Sequence, residues 1–224
     1  MLRSATKRRK RSHSRNHVCA LLRCVPALWA TATGVFVPAD ADAAGSPQAG
    51  ASTIVQVCSG CHSVKYIDYD DLLQLGLTQE QVDELRGAIP ATDSIQRQMS
   101  DEAVKESFGV VPPDLSLMAI AREGGTKYIY RMLTGFYLAE DGSIQNRAFP
   151  GTRMPDIFGI SAISDPQSVA QVKQTARDAA AFLHWAADPN ARYRHTLGFY
   201  VIGYLILLTA VLYLLKRQIW KDVD

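Results

Sequence analysis

Cys58 and Cys61, spaced C-x-x-C and followed at once by His62, make Cys58-Ser59-Gly60-Cys61-His62 the segment with the most chemistry in the chain. Two thiols at this spacing can add to the two vinyl groups on one edge of a porphyrin. The next residue then lies under the iron, where its imidazole is the proximal ligand. Gly60 is expected to allow the tight turn between the two thioethers. A redox dithiol would sit beside a strand–helix unit and needs no trailing histidine. A structural zinc site needs further ligands, and the only other cysteines, Cys19 and Cys24, lie in what reads as a leader. The motif occurs once, so one covalently bound haem c is expected.

Iron in an electron carrier takes a second axial ligand, usually Met or His. Beyond the leader the candidates are Met99, Met118, Met132, Met154, His184 and His195. Met99 lies in a polar stretch. Met118 and Met132 lie in helical patterns, where methionine most often packs a core. His184 sits near the end of a long helical pattern, and His195 borders an apolar run. Met154 differs, because Pro150, Gly151 and Pro155 hold its segment off helix and strand. From such a loop a thioether can be aimed at the iron; packing on the core is its other use.

The elements that must position these groups come next. Residues 1–17 carry seven basic residues and no acid, an apolar stretch from Val18 to Val37 follows, and small residues surround Ala43. This is the pattern of a secretory signal, 1–43, cleaved near Ala43 or Ala44. A retained first membrane helix is the other reading. Leu197 to Leu215 carries no charge over nineteen residues, about 28 Å of helix at about 1.5 Å per residue, enough for a bilayer core. Lys216, Arg217 and Lys221 follow, so the tail is expected to face the cytoplasm.

The sequence has 24 basic and 22 acidic residues, of which eight basic and two acidic fall in 1–43. The remainder carries a net charge of −4, which argues against nucleic acid and favours a basic soluble partner. Helices are expected over Ala51–Val57, Tyr69–Leu75, Thr78–Arg86, Met99–Glu106, Leu115–Glu123 and Thr126–Thr134. The strongest is Pro166–Ala187, capped by Asp165, with Val169, Val172, Ala176, Ala179 and Leu183 as its apolar stripe. No segment reads as a long strand. The expected fold class is mainly α, a c-type cytochrome haem domain followed by a single C-terminal transmembrane helix. The expected domains are 44–195, periplasmic; 196–215, the anchor; and 216–224, a cytoplasmic tail.

Over about residues 50–222 the chain resembles the cytochrome c1 family, the haem-bearing subunits of cytochrome bc1 complexes. The resemblance rests on CSGCHSVKY, FGVVPPDLSLMAIAREGG, YIYRMLTGFY, the FPGTRMP loop, FLHWAADP and an anchor ending in YLLKRQIWKDV. It implies that His62 and Met154 are the axial ligands, that Arg122 pairs with a haem propionate, and that Pro112, Pro113 and Tyr128 line the haem pocket. It implies a redox subunit of a ubiquinol–cytochrome c reductase, with quinol oxidised by other subunits. The subunit would take one electron at a time from a Rieske iron–sulfur protein. The acceptor would be a soluble c-type cytochrome or other periplasmic carrier. Cytochrome b, the lipid bilayer of a bacterial inner membrane and a dimeric complex complete the expected partners. Three features depart from the family pattern, one being that the long acidic insertions of some members are absent. Arg153 precedes the methionine where many members have a small residue, and Glu106-Ser107-Phe108 stands where some carry Asn-rich sequence. A tethered cytochrome feeding a terminal oxidase, and a haem-based sensor, are the competing classes.

Overall fold

The computed structural model describes residues 45–222, so the expected signal segment lies outside the described residues. Seven α-helices occur among them: α1 (Pro47–Gln56), α2 (Gln79–Arg86), α3 (Asp101–Phe108), α4 (Met118–Ala121), α5 (Gly125–Thr134), α6 (Pro166–Ala187) and α7 (Ala191–Ile219). Four short strands pair as two antiparallel ribbons, β1 (Val64–Asp68) with β2 (Ser94–Ile95) and β3 (Phe136–Leu138) with β4 (Ile144–Asn146).

Helix ends follow the side chains that can satisfy their free N–H groups. Ser46 Oγ accepts from the Ala49 N–H ahead of α1, and Asp165 Oδ2 accepts from the Ser168 N–H ahead of α6 at 2.7 Å. Thr78 and Gln81 form the reciprocal capping box expected for α2. α6 has the expected bounds. The inner part of its stripe, Ala176, Ala179 and Leu183, is buried, while Val169 and Val172 stay half-exposed nearer the start.

The core forms where α1 and α5 pack on α6. Small residues set the α1–α6 distance. Gly50 and Ala51 on α1 face a helix whose buried positions include Ala176, Ala179 and Ala180. A Cβ on Gly50 would lie 2.0 Å from the Asp178 carbonyl oxygen, so glycine is required there for the approach. Ile54, Leu72, Phe182 and Leu183 then close over the seam, and their burial is the main favourable term in folding.

Several elements differ from expectation. The Leu115–Glu123 pattern is helical only over Met118–Ala121. Ahead of it the backbone N–H groups are engaged elsewhere: Leu115 N–H donates to the Ser63 carbonyl, and Ser116 N–H to Asp114 Oδ1. Tyr69–Leu75 is a 3₁₀ segment over Tyr69–Leu73, held by a reciprocal Asp68–Asp71 cap. The apolar run 197–215 lies inside a longer helix. α7 spans 29 residues and buries none of them, and it is the one helix among the described residues long and apolar enough to cross a membrane. At about 1.5 Å per residue it is about 43 Å long, so its ends extend beyond a bilayer core of about 30 Å.

Candidate haem site

α1 ends at Gln56, and the 3₁₀ turn Cys58–Gly60 follows directly. Cys61 N–H and His62 N–H both donate to the Cys58 carbonyl, at 3.1 and 2.9 Å. The turn is tied down from both sides. Ser59 Oγ donates back to the Val55 carbonyl, while Gln98 and Met99 N–H groups donate to the Ser59 and Gly60 carbonyls. Gly60 itself has no positive φ, and a side chain on it would meet open space. Glycine is therefore not required by this turn, contrary to expectation.

A second strap comes from Pro112–Ser116. Asp114 Oδ2 accepts from the Lys65 N–H and Ser116 Oγ from the Tyr66 N–H, both at 3.1 Å. This docking brings the Pro113 carbonyl to 2.7 Å from His62 Nδ1. A carbonyl can only accept, so Nδ1 carries the proton and Nε2 keeps its lone pair. Burial lowers the His62 pKa. The Pro113 bond opposes that shift, the nearby Arg97 charge adds to it, and Asp114 opposes it. The net shift favours the neutral imidazole, the form a metal ligand requires.

Burial, with the neighbouring Cys61, pushes the Cys58 thiol up to about 12. A redox dithiol depends on the opposite shift, so Cys58 is not tuned for disulfide exchange. Both cysteines are free. Among the described residues no group of three or more His, Cys, Asp or Glu side chains gathers as a structural zinc site would require.

Cys58, Cys61 and His62 open on a cleft with about 1330 Å³ of empty space, counting its open mouth. Its enclosed part, about 320 Å³, falls at the low end of the about 300–1,000 Å³ of ligand-binding clefts. Every predicted site residue lines this one cleft: Pro112, Pro113, Arg122, Tyr128 and Met154 join the motif residues. Met118 and Met132 line it too, whereas Met99, His184 and His195 do not. Three methionines thus remain near the site. Met154 alone lies outside a helix, in a loop where its N–H donates to Thr152 Oγ1 and Gly151 takes φ +75°.

The sequence reading missed the apolar wall. Phe108, Val110, Phe149 and Ile157 come from three separate stretches and line the same cleft. No local pattern marks them as one wall, because they come together only through the tertiary fold. Also unforeseen was Arg97, whose N–H donates to Ser63 Oγ and whose side chain pairs with Asp101 and donates to the Met99 carbonyl. It holds the strap over the motif.

Fold and site together define a mainly helical cytochrome domain followed by one apolar C-terminal helix. The model of the cytochrome C1 family matches residues 42–223, and the chain belongs to that family. It is 32% identical over 221 residues to cytochrome c1 of Rhodospirillum rubrum, covering 79% of this chain and 81% of that protein. Cytochrome c1 of Allochromatium vinosum is 31% identical over 208 residues, covering 80% and 84%. The mitochondrial cytochrome c1 haem protein of Schizosaccharomyces pombe is 31% identical over 196 residues, covering 75% and 64%.

Proposed function

We propose that this chain is the haem-bearing electron-transfer subunit of a ubiquinol–cytochrome c reductase. It takes one electron at a time from a Rieske iron–sulfur protein and passes it to a periplasmic cytochrome or similar carrier. Cytochrome b is its membrane neighbour, and the complex is dimeric. Residues 1–43 direct export. The haem domain lies on the periplasmic side of a bacterial inner membrane, and the 216–224 tail is cytoplasmic.

Cys58 and Cys61 would hold one haem by thioether bonds, and His62 and Met154 would supply its iron ligands. When bound, the haem supplies a one-electron ferric–ferrous couple. The chain's own residues set its position and environment. Pro113 holds the His62 tautomer, the apolar wall excludes water, and Arg122 neutralises a propionate. Thioether ligation favours the ferrous state, as an acceptor for a Rieske centre needs.

The observation that carries the reading is the His62–Pro113 bond of 2.7 Å beside two free thiols in an apolar cleft. Mild detergent extraction tests it. Cytochrome b and a Rieske protein are expected to co-purify, with ubiquinol reducing this haem only while the Rieske protein is present. A haem-bearing chain that instead co-purifies with a terminal oxidase would favour the tethered-cytochrome reading. Carbon monoxide binding to the untreated reduced form would favour a sensor.

A further inference from the structure

The cleft is lined by two cationic guanidiniums and no carboxylate. The cations are Arg122 and Arg153. Neither side chain has an ion-pair or hydrogen-bond partner among the described residues. They reach the cleft from different elements. Arg122 stands at the C-terminal end of α4, and Arg153 extends from the loop before Met154.

Arg153 is exposed but lies against Gly109. Its Nη1 lies 2.9 Å from where a Cβ on Gly109 would stand. Gly109 ends α3 in the left-handed region, with φ +74°. The bare glycine leaves the space that the guanidinium occupies, and Phe108 beside it lines the cleft. The two stretches that depart from the family pattern, 106–108 and Arg153, therefore meet at one rim.

A haem c carries two propionates. A carboxylate beside an apolar wall is costly unless it is paired, and guanidinium is the side chain best shaped to pair with it, through two parallel hydrogen bonds. Two anionic groups thus meet two unpartnered cations in a cleft with no other charged side chain in its wall. We propose that Arg153 binds the second haem propionate, with Arg122 binding the first. The pairing rests on the reading that the cleft holds a haem.

The test uses the detergent-solubilised full chain with its haem, as wild type, Arg122→Gln, Arg153→Gln and Arg153→Lys. Redox-difference infrared spectra report the propionate carboxylates, and potentiometry from pH 5 to about 9 reports their ionisation. Arg153→Gln is expected to shift one propionate band and Arg122→Gln the other. Arg153→Gln should also lower the midpoint potential, because a cation near the iron disfavours the ferric charge. Its unpaired propionate should titrate nearer neutrality, giving the midpoint a pH dependence there. Arg153→Lys keeps the charge but not the fork, so the midpoint should return towards wild type while the band still shifts. That variant suffices if Arg153→Gln does not accumulate.

Unchanged propionate bands in both Arg153 variants would overturn the pairing, as would both arginines acting on the same band. A wild-type chain without haem in a pyridine haemochrome assay would overturn the underlying haem reading as well. The two failures are thereby distinguished.

Discussion

His62 Nδ1 donates to the carbonyl oxygen of Pro113 at 2.7 Å, across 51 positions of sequence. This bond selects the tautomer of the ring and fixes its plane, and it depends on a proline pair that has few backbone conformations available. Pro113→Ala keeps the carbonyl but frees the segment. In proton NMR of the solubilised haem protein, the Nδ1 proton should exchange slowly in wild type and faster in Pro113→Ala. Equal exchange rates would mean that the Asp114 and Ser116 contacts alone hold the strap.

The cleft contains three methionines, so the ligand assignment needs a direct comparison. Met154→Leu is expected to abolish the weak near-infrared sulfur–iron band of the oxidised protein, lower the midpoint potential and open the reduced iron to carbon monoxide. Met118→Leu and Met132→Leu should keep the band and lose at most about 1.5 kcal/mol of stability, the usual limit for a volume-conserving swap. Loss of the band in either helix variant, with Met154→Leu unaffected, would reassign the ligand.

Gly50 lets α1 approach α6 until a Cβ would stand 2.0 Å from the Asp178 carbonyl oxygen. Gly50→Val must push the helices apart. Overpacking of this kind costs about 1–3 kcal/mol, and denaturant unfolding of the haem protein should show it. The covalent haem content of the protein that accumulates should stay at one per chain, because the substitution does not touch the thiols. A midpoint of denaturation equal to wild type would show that α1 can shift at no cost.

Truncation should separate α7 from the domain that precedes it. α7 starts at Ala191 and buries none of its residues, so its removal exposes no core. A chain ending at Asn190 is expected to appear in the soluble fraction with its haem. A chain ending at Leu215 should stay in the membrane. Membrane retention of the shorter chain, without its partners, would mean that the segment before residue 45 anchors it.

What could be read directly from the sequence lies within a few residues of itself. The haem motif is five consecutive residues, the α6 cap is Asp165 with Ser168, and the membrane helix is one uninterrupted apolar run. Covalent spacing, capping and hydropathy are local properties, so they survive without knowledge of the fold. The strap was not legible, because Pro113 reaches His62 only after Asp114 and Ser116 bind the edge of β1. The expected 115–123 helix likewise shrinks to Met118–Ala121, with the Leu115 and Ser116 N–H groups bonded instead to Ser63 and Asp114. The apolar wall from Phe108, Val110, Phe149 and Ile157, and the seat of Arg153 on Gly109, join residues about forty positions apart. Only the packing of α1 and α5 on α6, with the loops it carries inward, decides which of those distant side chains share one cleft.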